Sequence, residues 1–488
     1  MIKAFAPRES GGCSWVLLSI LLVGLLPGSV WSQGETKKQA PPAAAAPANP
    51  DAKPAEPAAA KEDELPTPQV EIFRDPRVEK MLENTFPVLG KRGRPGTDRQ
   101  VKAMAANQAP VEREMIAAFV LDAMNQLTDH SNIKAVLEPG AVNAGAGAQF
   151  AIQQATDNMV EMFLSARGAN NAGFLSTYNQ VLLQNLPPVL ESHLLSRIAA
   201  GIVLSQTGVP EAADIFIKQL NDPKQTVWVA LWAARGLTNI QQLGRYNLDA
   251  GRAIRAAKTL ADYLEREKEL PWPVQYRALE ALGSLRRANT PQMQKSQPEM
   301  AGTAAQFLTD PDGRVDVRAE AGWALSMMEI PAGINGYNFP LIAYSVGELA
   351  ATLADKIRDV FPKNPTQAES LTGLLVAPII QTFDGVDAAR DSGLLKSTHP
   401  AATAARPFVK SVSDKIKPVT AAAIRLIREP GGKAAQNLKE LEGKTAELKA
   451  LLQKNPPANT SLVPGGPQFQ VGAAAAQVVN GPAGPRAK

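Results

Sequence analysis

Three histidines, one cysteine and a short acidic run are the residues of this sequence best suited to chemistry. An imidazole can ligate a metal or move a proton, but His130, His193 and His399 are too far apart to form a metal-binding motif. The run "DPDGRVD" places Asp310, Asp312 and Asp316 like the first ligands of a calcium loop, yet it lacks further oxygen ligands and a distal glutamate at the required spacing. The equivalent turn at Asp222 reads "DPKQTV", without the second acid, so both are read as turns. "GAVNAGAGAQF" supplies Gly145 and Gly147 but has Phe150 where a dinucleotide fingerprint needs a third glycine, and it is expected to be a flexible connection. No "GxSxG", "HExxH" or phosphate-loop sequence occurs. The sequence therefore predicts no catalytic, cofactor-binding or metal-ligating residue, and the chain is read as a non-enzyme.

The amino terminus reads as an export signal. Lys3 and Arg8 precede an apolar run from Trp15 to Leu26, which is 12 residues and short of the roughly 20 needed to span a bilayer. Val30 and Ser32 are the small residues before a cut placed after Ser32. Cleavage of residues 1–32 removes Cys13, the only cysteine, and with it any disulfide or thiolate chemistry. That favours a bacterial setting, with the protein periplasmic, in the cell envelope or secreted. The remaining 49 basic and 46 acidic residues nearly balance, which argues against nucleic acid as partner. One basic cluster, "GKRGRPG" from Gly90, is expected to be a solvated loop. Residues 33–69 are Ala, Pro, Lys and Glu in the main, a composition that cannot bury a core. They are expected to be a disordered tether, able to reach on the order of 100 Å.

The elements that would position any site are helices. Ile116, Phe119, Val120, Met124 and Leu127 keep the three-and-four spacing of one helix face, and further helices are expected near 149–165 and 174–186. Between 194 and 330 the chain repeats itself. Leu220, Asp222, Pro223, Val227, Val229, Ala233 and Leu237 recur, 88 positions on, as Leu308, Asp310, Pro311, Val315, Val317, Ala321 and Leu325. Val274, Ala278, Ala281 and Leu282 repeat the second half, and Leu195, Ala199, Ile202 and Val203 fit it upstream. Offsets of 0, 4, 7 and 8 mark one helix face, and the small residues at 4 and 7 let a neighbouring helix approach. Such pairs shelter their apolar faces by stacking. The Asp-Pro steps lie between helices, with Asp222 and Asp310 expected to cap the helix that follows.

"LTDPDGRVDVRAEAGWAL" resembles the HEAT repeat family: a first helix with leucine, an Asp-Pro turn, then Val-Arg, alanines and a leucine. Arg318 matches the family's arginine, whereas Ala230 and Gln275 depart from it. The resemblance, clearest over 195–328, implies an armadillo-like α-solenoid that binds other macromolecules. It also brings in lyases acting on tetrapyrroles and glycosylases acting on DNA, both disfavoured by export.

Beyond the repeats, Ile342 to Val360 and Leu371 to Phe383 mark a helical extension. Val409 to Leu426 and Leu438 to Leu452 read as a helical hairpin with a coiled-coil-like seam and a kink at Pro418. The expected organisation is signal 1–32, tether 33–69, N-terminal helical region 70–193, repeats 194–330, extension 331–398, hairpin 399–454 and disordered tail 455–488. The expected class is all-α: an irregular α-solenoid of HEAT-like pairs with flanking helices and that hairpin. The expected function is non-catalytic binding of another protein or an envelope polymer, with no membrane span once the signal is gone. The alternative is an architectural component that self-associates or holds wall polymer. Trp228, Trp232 and Trp323 are candidates either for a binding face or for packing, and Trp272 for closing a turn between helices.

Overall fold

The computed structural model describes residues 75, 77–82, 86–91, 93–138, 148–243, 248–267, 269–290, 298–386, 392–429 and 431–472. The signal, the tether and Gly145 and Gly147 lie outside them. The described residues are helical with no β-strand; isolated bridges join Arg287 to Glu329 and Ser461 to Gln468. No helix among them is long and apolar enough to cross a membrane.

The helices are α1 (Arg77–Met81), α2 (Asp98–Ala105), α3 (Arg113–Thr128), α4 (His130–Leu137), α5 (Ala148–Gly168), α6 (Ala172–Asn185), α7 (Leu194–Ser205), α8 (Ala213–Asn221) and α9 (Val227–Leu243). They continue as α10 (Ala250–Arg266), α11 (Trp272–Leu285), α12 (Glu299–Thr309), α13 (Val315–Met327), α14 (Phe339–Val360), α15 (Pro365–Leu374), α16 (Ile380–Asp384), α17 (Pro400–Arg428) and α18 (Ala434–Lys454). Short polar residues start many of them. Asp129, Asn171, Asp249, Asn338 and Asn364 each accept a hydrogen bond from a backbone amide of the first turn, satisfying a donor the helix itself cannot.

Helices α7, α9, α11 and α13 pack side by side, each on the next, while α8, α10 and α12 form a second row against them. The periodic positions are the seam. Val229, Ala233 and Leu237, then Val274, Ala278, Ala281 and Leu282, then Val317, Ala321, Ala324 and Leu325 are all buried. Gly236 shows why the seventh position stays small: a Cβ there would lie 2.3 Å from the ring of Phe216 on α8. Of the repeated apolar positions, Ile202 and Val315 are half-buried.

The Asp-Pro steps behave differently from expectation. Asp222 and Asp310 end α8 and α12 and accept from the amides two residues on, Lys224 N at 2.9 Å and Asp312 N at 3.0 Å. They close their own turns and do not cap α9 or α13, because three residues separate each proline from the next helix. The link between paired helices is instead Arg318, whose Nε donates to the Leu308 carbonyl at 3.0 Å.

The hairpin α17–α18 packs on α14, which passes so close that a Cβ on Gly347 would touch Leu452 and Val412 at 3.0 and 3.1 Å. Helix α17 continues through Pro407 and Pro418, so the kink expected at Pro418 does not break it. Between α15 and α16 the backbone widens into a π turn over Leu375–Ile379, around Pro378. The segment expected to be disordered from Asn455 is, as far as residue 472, folded back on α14. Leu462, Val463 and Phe469 are buried, Asn338 N donates to the Leu462 carbonyl at 2.8 Å, and Gly472 N donates to Glu348 at 3.2 Å.

Candidate functional site

The positions three and six residues beyond Val229, Val274 and Val317 share a second face, adjacent to the buried seam. At offset three stand Trp232, Arg277 and Glu320; at offset six stand Arg235, Glu280 and Trp323. Helix α7 contributes Gly201 at offset six, where a Cβ would lie 3.1 Å from the Trp232 Cβ. Side-by-side packing of α9, α11 and α13 therefore turns a sequence register into a row of charged and aromatic side chains.

Glu280 is the hub. Its two carboxylate oxygens accept from two arginines on different helices, Arg235 Nη1 at 2.9 Å and Arg277 Nη1 at 2.7 Å. Arg235 retains 28% side-chain exposure and Glu280 13%, so the network opens to solvent at the α9 edge. The Arg277 guanidinium also lies over the Tyr276 ring at 5.5 Å. Deeper in, Glu320 is buried between α11 and α13 and accepts from the Tyr276 hydroxyl. Burial, and then the neighbouring Glu280 charge, raise the Glu320 carboxyl above the ordinary range, against the opposing pull of Tyr276 and Arg277. Burial likewise pushes the Tyr276 phenol up. Trp323 packs over Gly283, Val386 covers it, and its buried Nε1 has no hydrogen-bond partner.

This arrangement holds its charges in place. A carboxylate whose two oxygens each accept from a guanidinium has its lone pairs engaged in those bonds. Arg235 is the most exposed member of the network, with Trp232 largely buried beside it.

The Glu320 carboxyl gives a pH signature. The folded protein binds this proton more tightly than the unfolded chain, so the contribution to stability is complete in acid and is lost as pH rises through the raised folded value. Urea unfolding from about pH 6 to about pH 9 should show wild-type stability falling relative to Glu320→Gln, whose curve lacks this contribution; parallel curves would refute it.

The residues singled out in the sequence are placed elsewhere. His130 is the first residue of α4, after the Asp129 cap, with Nε2 2.7 Å from the Phe86 carbonyl, and His399 caps α17 through Nδ1. His193 caps α7 in the same manner. Among the described residues no three His, Cys, Asp or Glu side chains are grouped to hold a metal. Asp310 serves its turn, while Asp316 pairs with Arg314 at 2.9 Å. Trp272 begins α11 and carries the Arg314 guanidinium 4.4 Å over its ring, joining α11 to the start of α13. Trp228 is half-buried at the start of α9; Trp232 and Trp323 are each 9% exposed. In the "GKRGRPG" cluster Lys91, Arg94, Pro95 and Gly96 are exposed, as expected of a solvated loop, while its first two glycines lie against α3: a Cβ would lie 2.1 Å from the Leu121 carbonyl oxygen at Gly90 and 2.2 Å from Asp122 N at Gly93.

Sequence reasoning missed Arg235, Tyr276, Arg277, Glu280 and Glu320. The repeat register aligns all but Tyr276, but a charge at a repeated position looks the same in sequence whether a neighbouring helix covers it or not. Comparison with protein-family models, curated proteins and solved structures returned no match.

Proposed function

We propose that the chain is an exported, non-catalytic binding protein, an irregular α-solenoid of HEAT-like helix pairs that holds another protein of the cell envelope against the α9–α11–α13 face. The observation that supports it is the Arg235–Glu280–Arg277 bridge, fixed across two helices and reaching solvent through Arg235. Pre-ordered charge beside tryptophan is the chemistry of an interface anchor, since little side-chain entropy is left to lose on association. Export rests on the signal read in residues 1–32.

The test is a photo-crosslinking residue placed at Gln242, on the open edge of α9, or at Asp262 on the exposed side of α10. Position 242 should capture a discrete envelope protein and position 262 should not. Arg235→Glu should reduce capture at least about tenfold, the loss expected when a bonded interfacial charge is reversed. Equal capture from both positions, or indifference to Arg235→Glu, would defeat the assignment.

A further inference from the structure

Helices α2, α3 and α5 pack on one another and leave a recess of about 220 Å³ where they meet. Its base is apolar. Phe119 and Ala123 on α3 and Ala155 on α5 line it and are buried, and because two of the three are alanine, little side chain occupies the space.

The charged groups around that base are of one sign. Asp98, in the first turn of α2, and Asp122, on α3, both line the recess and are half-buried, and among the described residues neither is paired with an arginine or lysine. By contrast, half-buried Asp316 is met by Arg314, and half-buried Asp355 by Arg358 and Lys449. Asp122 Oδ2 accepts from Gln126 Nε2 at 2.8 Å, one turn on, which leaves its other oxygen free to accept. Gln154 and Asn158, one turn apart on α5, add side-chain amides that bond no described residue. A concave wall carrying one sign of charge concentrates counter-ions. The counter-ion that fits here is organic: no three His, Cys, Asp or Glu side chains among the described residues are grouped to hold a metal, and a bare ion would make no use of the apolar base. A volume of 220 Å³ equals that of about seven waters and lies below the roughly 300–1,000 Å³ of a drug-sized site, so the ligand is short.

We propose that this recess binds a short aliphatic diamine. One ammonium meets Asp98 and the other Asp122, the methylenes cover Phe119, Ala123 and Ala155, and the side-chain carbonyls of Gln154 and Asn158 accept from the remaining N–H donors. The inference uses no residue of the α9–α11–α13 face and stands if that reading fails.

The probe is putrescine, the four-carbon diamine, titrated by calorimetry into the full chain at neutral pH and low salt. It should bind at least about tenfold more tightly than butylamine, which can engage only one carboxylate, while the corresponding diol should not bind. Asp98→Asn and Asp122→Asn should each weaken putrescine about tenfold, through loss of a charge-assisted bond. Gln154→Lys, at an exposed position, should weaken it as much by setting a built-in ammonium at the recess, and it decides the matter if an aspartate variant does not fold. Asp157→Asn, an exposed acid of α5 that does not line the recess, should change nothing. No binding of putrescine, equal affinity for putrescine and butylamine, or indifference to Gln154→Lys would overturn the proposal. So would an equal loss in Asp157→Asn, which would reduce the effect to general surface charge, or tighter binding of the diol, which would make the recess a site for neutral polyols.

Discussion

Arg277→Met is expected to lower the free energy of unfolding at neutral pH by about 3 kcal/mol, the cost of taking the more buried of two guanidinium partners from a buried carboxylate. Arg277 is the more buried of the two arginines on Glu280, and it also opposes the upward shift of Glu320. Its loss leaves Glu280 with Arg235 alone and removes the positive charge that draws the Glu320 carboxyl down. Adding Glu280→Gln should return part of the stability, because the half-paired buried carboxylate and its repulsion of Glu320 are removed as well. The measurement is urea denaturation of wild type, both single variants and the double variant, combined as a cycle. Additive losses would mean that the two side chains do not act as a unit.

The second large effect lies far from that cluster. Gly90→Ala should cost about 3 kcal/mol or more, because two penalties coincide. Gly90 has φ +71°, where an L side chain is strained, and the new Cβ would fall 2.1 Å from the Leu121 carbonyl oxygen. That oxygen is part of the α3 backbone and cannot rotate away as a flexible side chain would. Lys91→Ala, one residue on and exposed, should change stability by less than about 0.5 kcal/mol. Thermal unfolding of the two variants is the check: equal small effects would mean that the backbone at Gly90 can move off α3 without cost.

How much of this was legible depended on whether a residue's role is settled within its own helix. The small and branched residues at offsets 0, 4, 7 and 8 declare their face through spacing alone, and all but Ile202 are buried. The all-helical class followed from the same spacing. Glu320 and Arg277 were equally in register, yet charge at a repeated position reads as a solvated face until neighbouring helices are known to cover it. Gly90 and Gly93 carry no local sign of the helix pressed against them. Asp75 is legible least of all, since the Val227 amide that donates to it lies 152 residues away. The segment after Asn455 has the composition of a disordered tail, and only Leu462, Val463 and Phe469 distinguish it.

The return of that last segment to the start of α14 sets an order of events during synthesis. Asn338 receives its contacts from Asn459, Ser461 and Leu462, more than 120 residues later in the chain. At translation rates of roughly 5–20 residues per second, this end of α14 waits on the order of 6–25 s for the strands of contact that complete it. Throughout that interval the nascent polypeptide presents the backbone and side-chain amides of Asn338 without their final acceptors, a period in which a holding chaperone would find its footing.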